Sequence, residues 1–93
     1  MEEVIPTELR LAQNYPNPFI GHTVIKYCVP DKMKIRLEIF DAIGNKLETL
    51  VDDVHEPGTY KIDFTANRLE DGEYLYKLES DNYFETKKMV LMK

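Results

Sequence analysis

From Thr23 onward, apolar and polar residues alternate with a period of two, the spacing of strands whose two faces meet different surroundings. Thr23, Ile25, Tyr27 and Val29 share one face, and Val24, Lys26 and Cys28 the other, before Pro30-Asp31 ends the run. Lys34 to Phe40 alternates most cleanly: Ile35, Leu37 and Ile39 toward a core, Lys34, Arg36 and Glu38 toward water. Asp41 to Asn45 reads as a hairpin loop in which Gly44 supplies the positive φ. Lys46 to Val54 returns as a strand, and the break in period at Leu50-Val51 predicts a bulge or bend. Pro57-Gly58 has the order of a type II turn. Thr59 to Thr65 then sends Tyr60, Ile62 and Phe64 inward and Lys61 and Asp63 outward. Asp71-Gly72 is a further turn, followed by Tyr74, Tyr76 and Leu78 against Leu75, Lys77 and Glu79. Asp81-Asn82 suits a two-residue hairpin into a last strand, Tyr83 to Met92, whose end is apolar on both faces.

No window of 11 or more residues keeps helical spacing, and Asn67 to Asp71 could form one turn at most. With Leu9 and Leu11 alternating against Arg10 and Ala12 as a short first strand, about seven strands separated by turn signals emerge. That pattern predicts an all-β fold, an immunoglobulin-like antiparallel β-sandwich.

Between the first strand and the sandwich proper lies Asn14-Tyr15-Pro16-Asn17-Pro18-Phe19. Two prolines in three residues forbid a helix and remove two backbone donors from any ladder. The expectation is a stiff, extended clasp, with Tyr15 and Phe19 pinned on the core and closing one of its ends. Residues 1–8 read as an acidic tether and 9–93 as the domain.

Ninety-three residues bound the chain to one domain, near the lower size limit for a self-sufficient core. Hydrophobic residues at 43% and charged residues at 31% exclude disorder. No apolar run approaches the roughly 20 residues of a membrane helix, so membrane insertion is not expected. Met1-Glu2-Glu3 lacks the basic start of a signal peptide, so the signal of an exported parent protein would lie upstream. A net charge of −5 argues against nucleic acid. Cys28 is the only cysteine, which rules out an internal disulfide; the alternation sets it opposite Ile25, Tyr27 and Val29.

Catalytic chemistry finds little support. His22 and His55 fall in loop-like stretches without a motif, Ser80 sits beside a turn with no visible base, and no nucleophile elbow, phosphate loop or His-Glu-x-x-His pair occurs. Asp52, Asp53 and Glu56 are clustered oxygen donors but lack the spacing and glycine of a calcium loop. No cofactor is implied. A sugar-stacking platform would have to come from Phe40, Tyr83 and Phe84, because Tyr27, Tyr60, Tyr74 and Tyr76 lie on core faces. Lys87-Lys88-Met89-Val90-Leu91-Met92-Lys93 fits either an edge strand guarded by lysines or an exposed linear address.

Leu11-Ala12-Gln13-Asn14-Tyr15-Pro16-Asn17-Pro18-Phe19 resembles the opening signature of the type A C-terminal sorting domains of the type IX (Por) secretion system. The resemblance continues through Thr23-Val24-Ile25-Lys26-Tyr27, Leu37-Glu38-Ile39-Phe40-Asp41 with Gly44 four residues before Glu48, and the Gly-x-Tyr element in Asp71-Gly72-Glu73-Tyr74-Leu75-Tyr76-Lys77-Leu78. It closes with Glu85-Thr86-Lys87-Lys88-Met89-Val90-Leu91-Met92-Lys93. The chain departs from the family after Phe19, where Ile20-Gly21-His22 stands in place of Asn-Pro and small polar residues. The pattern is also similar to the immunoglobulin-like domain of flagellar hook-capping proteins.

The resemblance implies a non-catalytic label on a larger cargo, carried through the periplasm by the type IX machinery to the outer-membrane surface or the medium. It further implies a sortase-like protease as a partner. Its recognition residues would be Gly72, Tyr74, Lys87, Lys88, Met89, Val90, Leu91 and Lys93, with a role in shaping the fold alone as the alternative for Gly72 and Tyr74. Strand addition along an exposed final edge is the physical picture that fits such reading. An immunoglobulin-like spacer or assembly domain, or a carbohydrate-binding module of a secreted polysaccharide-degrading enzyme, are the alternatives.

Overall fold

Seven strands account for most of the computed structural model, which describes residues 8–66, 68–81 and 83–92. They are β1 (Arg10–Leu11), β2 (His22–Val29), β3 (Met33–Asp41), β4 (Lys46–His55), β5 (Gly58–Thr65), β6 (Gly72–Ser80) and β7 (Tyr83–Leu91). One sheet has three strands in the order β1-β2-β5, the other four in the order β4-β3-β6-β7, and every pairing between them is antiparallel. The chain changes sheets after β2, β4 and β5, which yields the immunoglobulin-like sandwich that the turn spacing predicts. Residues 1–7 of the tether, Asn67 of the expected turn, Asn82 of the expected hairpin and Lys93 lie outside the described residues.

The period-two pattern translates directly into the core. Ile25, Tyr27, Val29 and Phe64 come from the smaller sheet; Ile35, Leu37, Ile39, Tyr74, Tyr76, Leu78, Met89 and Leu91 come from the larger. Leu11 of β1 adds to the smaller sheet's share, and Phe19 and Ala66 complete the core from outside the strands. With Cys28 free, packing replaces a disulfide as the pin between sheets, each buried large side chain contributing about 1.5–3 kcal/mol. Among the described residues no buried side-chain nitrogen or oxygen lacks a hydrogen-bond partner.

Several turns follow expectation. Asp41 organises the β3–β4 hairpin, its carboxylate accepting from the Ile43 and Asn45 N–H groups at 3.1 and 2.8 Å, with Gly44 at φ 95°. Ser80 pairs with Tyr83 across the two-residue connection of β6 and β7. The bulge in β4 is real: Leu37 opposes Val51 and Glu38 opposes Thr49, leaving Leu50 extra. A second bulge at Leu47, between Ile39↔Glu48 and Phe40↔Lys46, has no signature in the alternation.

Other expectations are corrected. Pro57-Gly58 is not a type II turn: Gly58 has φ 155°, far from the roughly +80° that turn requires, and it opens β5 where the chain changes sheets. Residues 68–71 are irregular with no helical turn, within the limit of one turn at most that the sequence sets. Glu38, expected in water, is 6% exposed. It does face outward, but at the middle of the larger sheet, where neighbouring long side chains cover it and Lys46 Nζ lies 3.3 Å away. His22 and His55 are the terminal residues of β2 and β4, not loop residues. The His55 ring lies tilted against Tyr60 (centroids 4.3 Å apart, planes at 32°), and its Nε2 is 2.7 Å from the Tyr27 hydroxyl.

Candidate functional site

The clasp and the last strand form one structure. Residues 14–19 begin beside β2, where the N–H and C=O of Tyr15 both bond to Val24 at 2.9 Å. They end beside β7, where Phe19 forms a parallel bridge with Leu91. Phe19 donates its N–H to the Val90 carbonyl and accepts from the Met92 N–H, both at 2.9 Å. Asn17 Oδ1 accepts from the Val90 N–H at 2.9 Å, and Gln13 Nε2 donates to the Lys88 carbonyl at 2.7 Å. The outward backbone groups of β7 are therefore occupied at Val90 and Met92, and partly at Lys88. The exposed edge expected for strand addition is closed over this length.

Phe19 meets its expectation: it is 1% exposed and sits edge-on to Phe64 at 6.3 Å. Tyr15 does not, being 79% exposed. The physical reason is alternation along an extended segment: with Tyr15 bonded to Val24 through its backbone, Asn14 faces in and the Tyr15 ring faces out. Asn14 is thus the second anchor. Its N–H donates to the Tyr76 hydroxyl at 2.7 Å, and Nδ2 donates to Thr23 Oγ1 at 3.0 Å and the Pro16 carbonyl at 3.1 Å. Tyr76 in turn donates to the Ala12 carbonyl at 2.7 Å, and burial pushes its phenol up to about 12. Pro16 and Pro18 both follow cis peptide bonds.

Sequence reasoning overlooked the amide side chains. A segment with two donor-less prolines has to meet its neighbours through side chains, and Gln13, Asn14 and Asn17 are the amides within reach. That density of amides around Pro16 and Pro18 was the available signal.

A second link joins the ends of the domain. Glu85 on β7 accepts from the Leu11 N–H at 3.1 Å and the Tyr83 hydroxyl at 2.9 Å, with Lys87 Nζ at 3.4 Å. Burial resists ionisation of this carboxyl, yet those bonds and the Lys87 charge together hold it below its ordinary range.

The structure divides the expected recognition residues into groups. On β7, Met89 and Leu91 are buried in the core, Lys87 is half-buried on the same face, and Lys88 and Val90, with Met92 just past the strand, alternate to the outer face. Gly72 and Tyr74 lie apart, at the corner where the chain enters β6. Tyr74 is buried and its hydroxyl donates to the Glu70 carbonyl at 2.6 Å. The same device occurs at the entry to β5, where the Tyr60 hydroxyl donates to the Glu56 carbonyl at 2.6 Å. Both corners read Glu-x-Gly-x-Tyr, and both glycines have an unusual φ, 155° at Gly58 and 150° at Gly72. A tyrosine tied to backbone four residues upstream at a sheet-changing corner is a fold device of such sandwiches.

The residues weighed for other chemistry are dispersed. Lys34 pairs with Asp52, Lys32 with Glu56, and Asp53 accepts from the Val54 N–H. Among the described residues no group of three or more His, Cys, Asp or Glu side chains is arranged to hold a metal ion. Phe40 lies under Lys77 Nζ at 5.3 Å, while Tyr83 and Phe84 are exposed on successive residues of β7 and so on opposite faces. These three do not form a platform.

An immunoglobulin-like domain, its opening segment fastened to its last strand, is the class that fold and site define. The family model described as "Secretion system C-terminal sorting domain" matches residues 13–92, from the clasp to the end of the described last strand, and the chain belongs to that family. It is a C-terminal sorting signal for type IX secretion, which engages the secretion machinery and directs export to the cell surface or medium. No curated protein and no solved structure matches the chain.

Proposed function

We propose that β7 is the part of this sorting domain that the type IX machinery reads, and that Gly72 and Tyr74 serve mainly to turn the chain into β6. The observation that carries this reading is the division of labour along β7: Met89 and Leu91 hold the strand in the core, while Lys88 and Val90 stand on its outer face. Lys87 steadies the strand through Glu85, and Lys93 extends the positive charge of the same end. The Tyr74 corner, repeated at Tyr60, already has a folding task.

In this reading the cargo precedes the domain, joined through the tether at residues 1–8. The precursor crosses the periplasm before the outer membrane, and a sortase-like protease acts where cargo and domain meet. A reporter carrying an upstream export signal and this domain should be secreted in cells with a working type IX system. Deleting residues 88–93 should leave the reporter in the periplasm. Normal secretion of the truncated fusion would contradict the assignment to β7.

A further inference from the structure

We propose that the machinery recognises a composite surface, in which Pro18 of the clasp and Ile20 just after it stand beside Val90 of the last strand and Met92 just after it, and that its partner is an apolar site on a protein of the secretion machinery. This rests on the reading that β7 is what the machinery reads, and it names what that reading leaves open: the atoms a receptor can touch.

The backbone excludes the simplest alternative. Strand addition needs a free ladder of N–H and C=O groups, but the clasp already bonds Val90 on both its groups and Met92 on its N–H. Opening that ladder means extracting Phe19, which is 1% exposed, together with the buried Asn14 and its hydrogen bonds to Tyr76, Thr23 and Pro16. A receptor meeting the folded domain therefore meets side chains at this end.

Alternation shows which side chains. Phe19 and Leu91 face each other in the parallel bridge and both point into the core. Their neighbours turn the other way. Ile20 is 78% and Met92 51% exposed, at adjoining positions of two segments more than 70 residues apart in sequence. Among the eight exposed large hydrophobic residues of the described part, Ile20 and Met92 are two that the Phe19–Leu91 bridge sets side by side, whereas Tyr83 and Phe84 lie at the far end of β7. Adjoining exposed apolar residues, here Ile20 and Met92 flanked by Pro18 and Val90, mark an interaction surface. Lys88, on the same outer face as Val90, is already paired with the equally exposed Glu73 at 3.5 Å, so the apolar side chains and not a free charge distinguish this end. The occupant is a component of the secretion machinery, because the family's function requires that contact.

The test is secretion of a reporter fused to the full domain, with the melting temperature of each purified variant as the control for folding. Ile20→Ser and Met92→Ser should each lower the secreted fraction about tenfold, the scale of one lost interface anchor. Ile20→Thr, which keeps the branched shape, should lie between Ile20→Ser and wild type. Ile43→Ser, in the exposed β3–β4 hairpin loop, should secrete normally. A defect at Met92→Ser with wild-type secretion of Ile20→Ser would overturn the composite surface and leave a linear tail, with the sorting role of β7 intact. Equal losses at Ile20, Met92 and Ile43 would also overturn it. Normal secretion after deletion of residues 88–93 would instead overturn the assignment to β7 itself.

Discussion

Two sides of the sandwich handle the same problem, an unpaired strand edge, in different ways. On one, β7 is covered by a segment from the opposite end of the domain, with Phe19 and Asn17 bonded to its backbone and Leu11 tied to Glu85. On the other, β4 has no strand beyond it. It carries two bulges and, with Phe64, Ala66 and Leu69, lines an opening of about 430 Å³. Bulges twist an edge away from partners at little cost in sequence. A covering segment demands matched residues some 70 positions apart. The difference teaches that the β7 side is built to keep one defined shape, whereas the β4 side is only kept from sticking.

The largest effect that can separate the two sides is a truncation in each. Phe19→Ala should lower stability by about 3–5 kcal/mol, because it empties a core position. Leu47→Ala, half-exposed on the bulged edge, should cost under about 1 kcal/mol. Urea unfolding of both variants measures the difference, and similar costs would remove the distinction. Asn14→Ala should follow at about 1–3 kcal/mol, since it removes the buried bonds to Thr23, Pro16 and Gln13 and leaves Thr23 and Pro16 bonded only to each other.

Tyr74→Phe should cost about 1 kcal/mol through loss of the bond to Glu70, and Tyr60→Phe should cost less at its more exposed corner. If the Gly-x-Tyr element is a corner and not a message, both variants secrete a fused reporter normally. The smallest effect is electrostatic. Glu85 has a folded pKa below its unfolded value, so its contribution is complete above the ordinary carboxylate range and is lost as pH falls through the folded pKa. The group is partly solvated, so the change should stay under about 1 kcal/mol. Glu85→Gln should flatten that part of the acid limb of stability, measured by thermal melts between neutral and acidic pH.

Most of the fold was legible because the alternation over Thr23 to Val29, Lys34 to Phe40 and Tyr74 to Leu78 states which face is buried. The bulge at Leu50 showed as a break in period, whereas that at Leu47 sits among exposed residues, where no pattern exists to break. Tyr15 misled because an aromatic beside proline invites burial, whereas register with Val24 decides its direction. Glu38 misled because a charged side chain on an outer face can still be covered at the middle of a sheet. The contact between Phe19 and Leu91 could not be read from either segment alone. It depends on how the two sheets stack, and that is where the site lies.

Amide hydrogen exchange at Phe19, Val90 and Met92 tests the closed edge most directly. If the clasp is bonded to the last strand, these three amides exchange as slowly as those in the ladders at the centre of the larger sheet, and Phe19→Ala accelerates all three together. Exchange at the rate of unpaired loop amides in the wild-type domain would show the edge open, and would contradict the account.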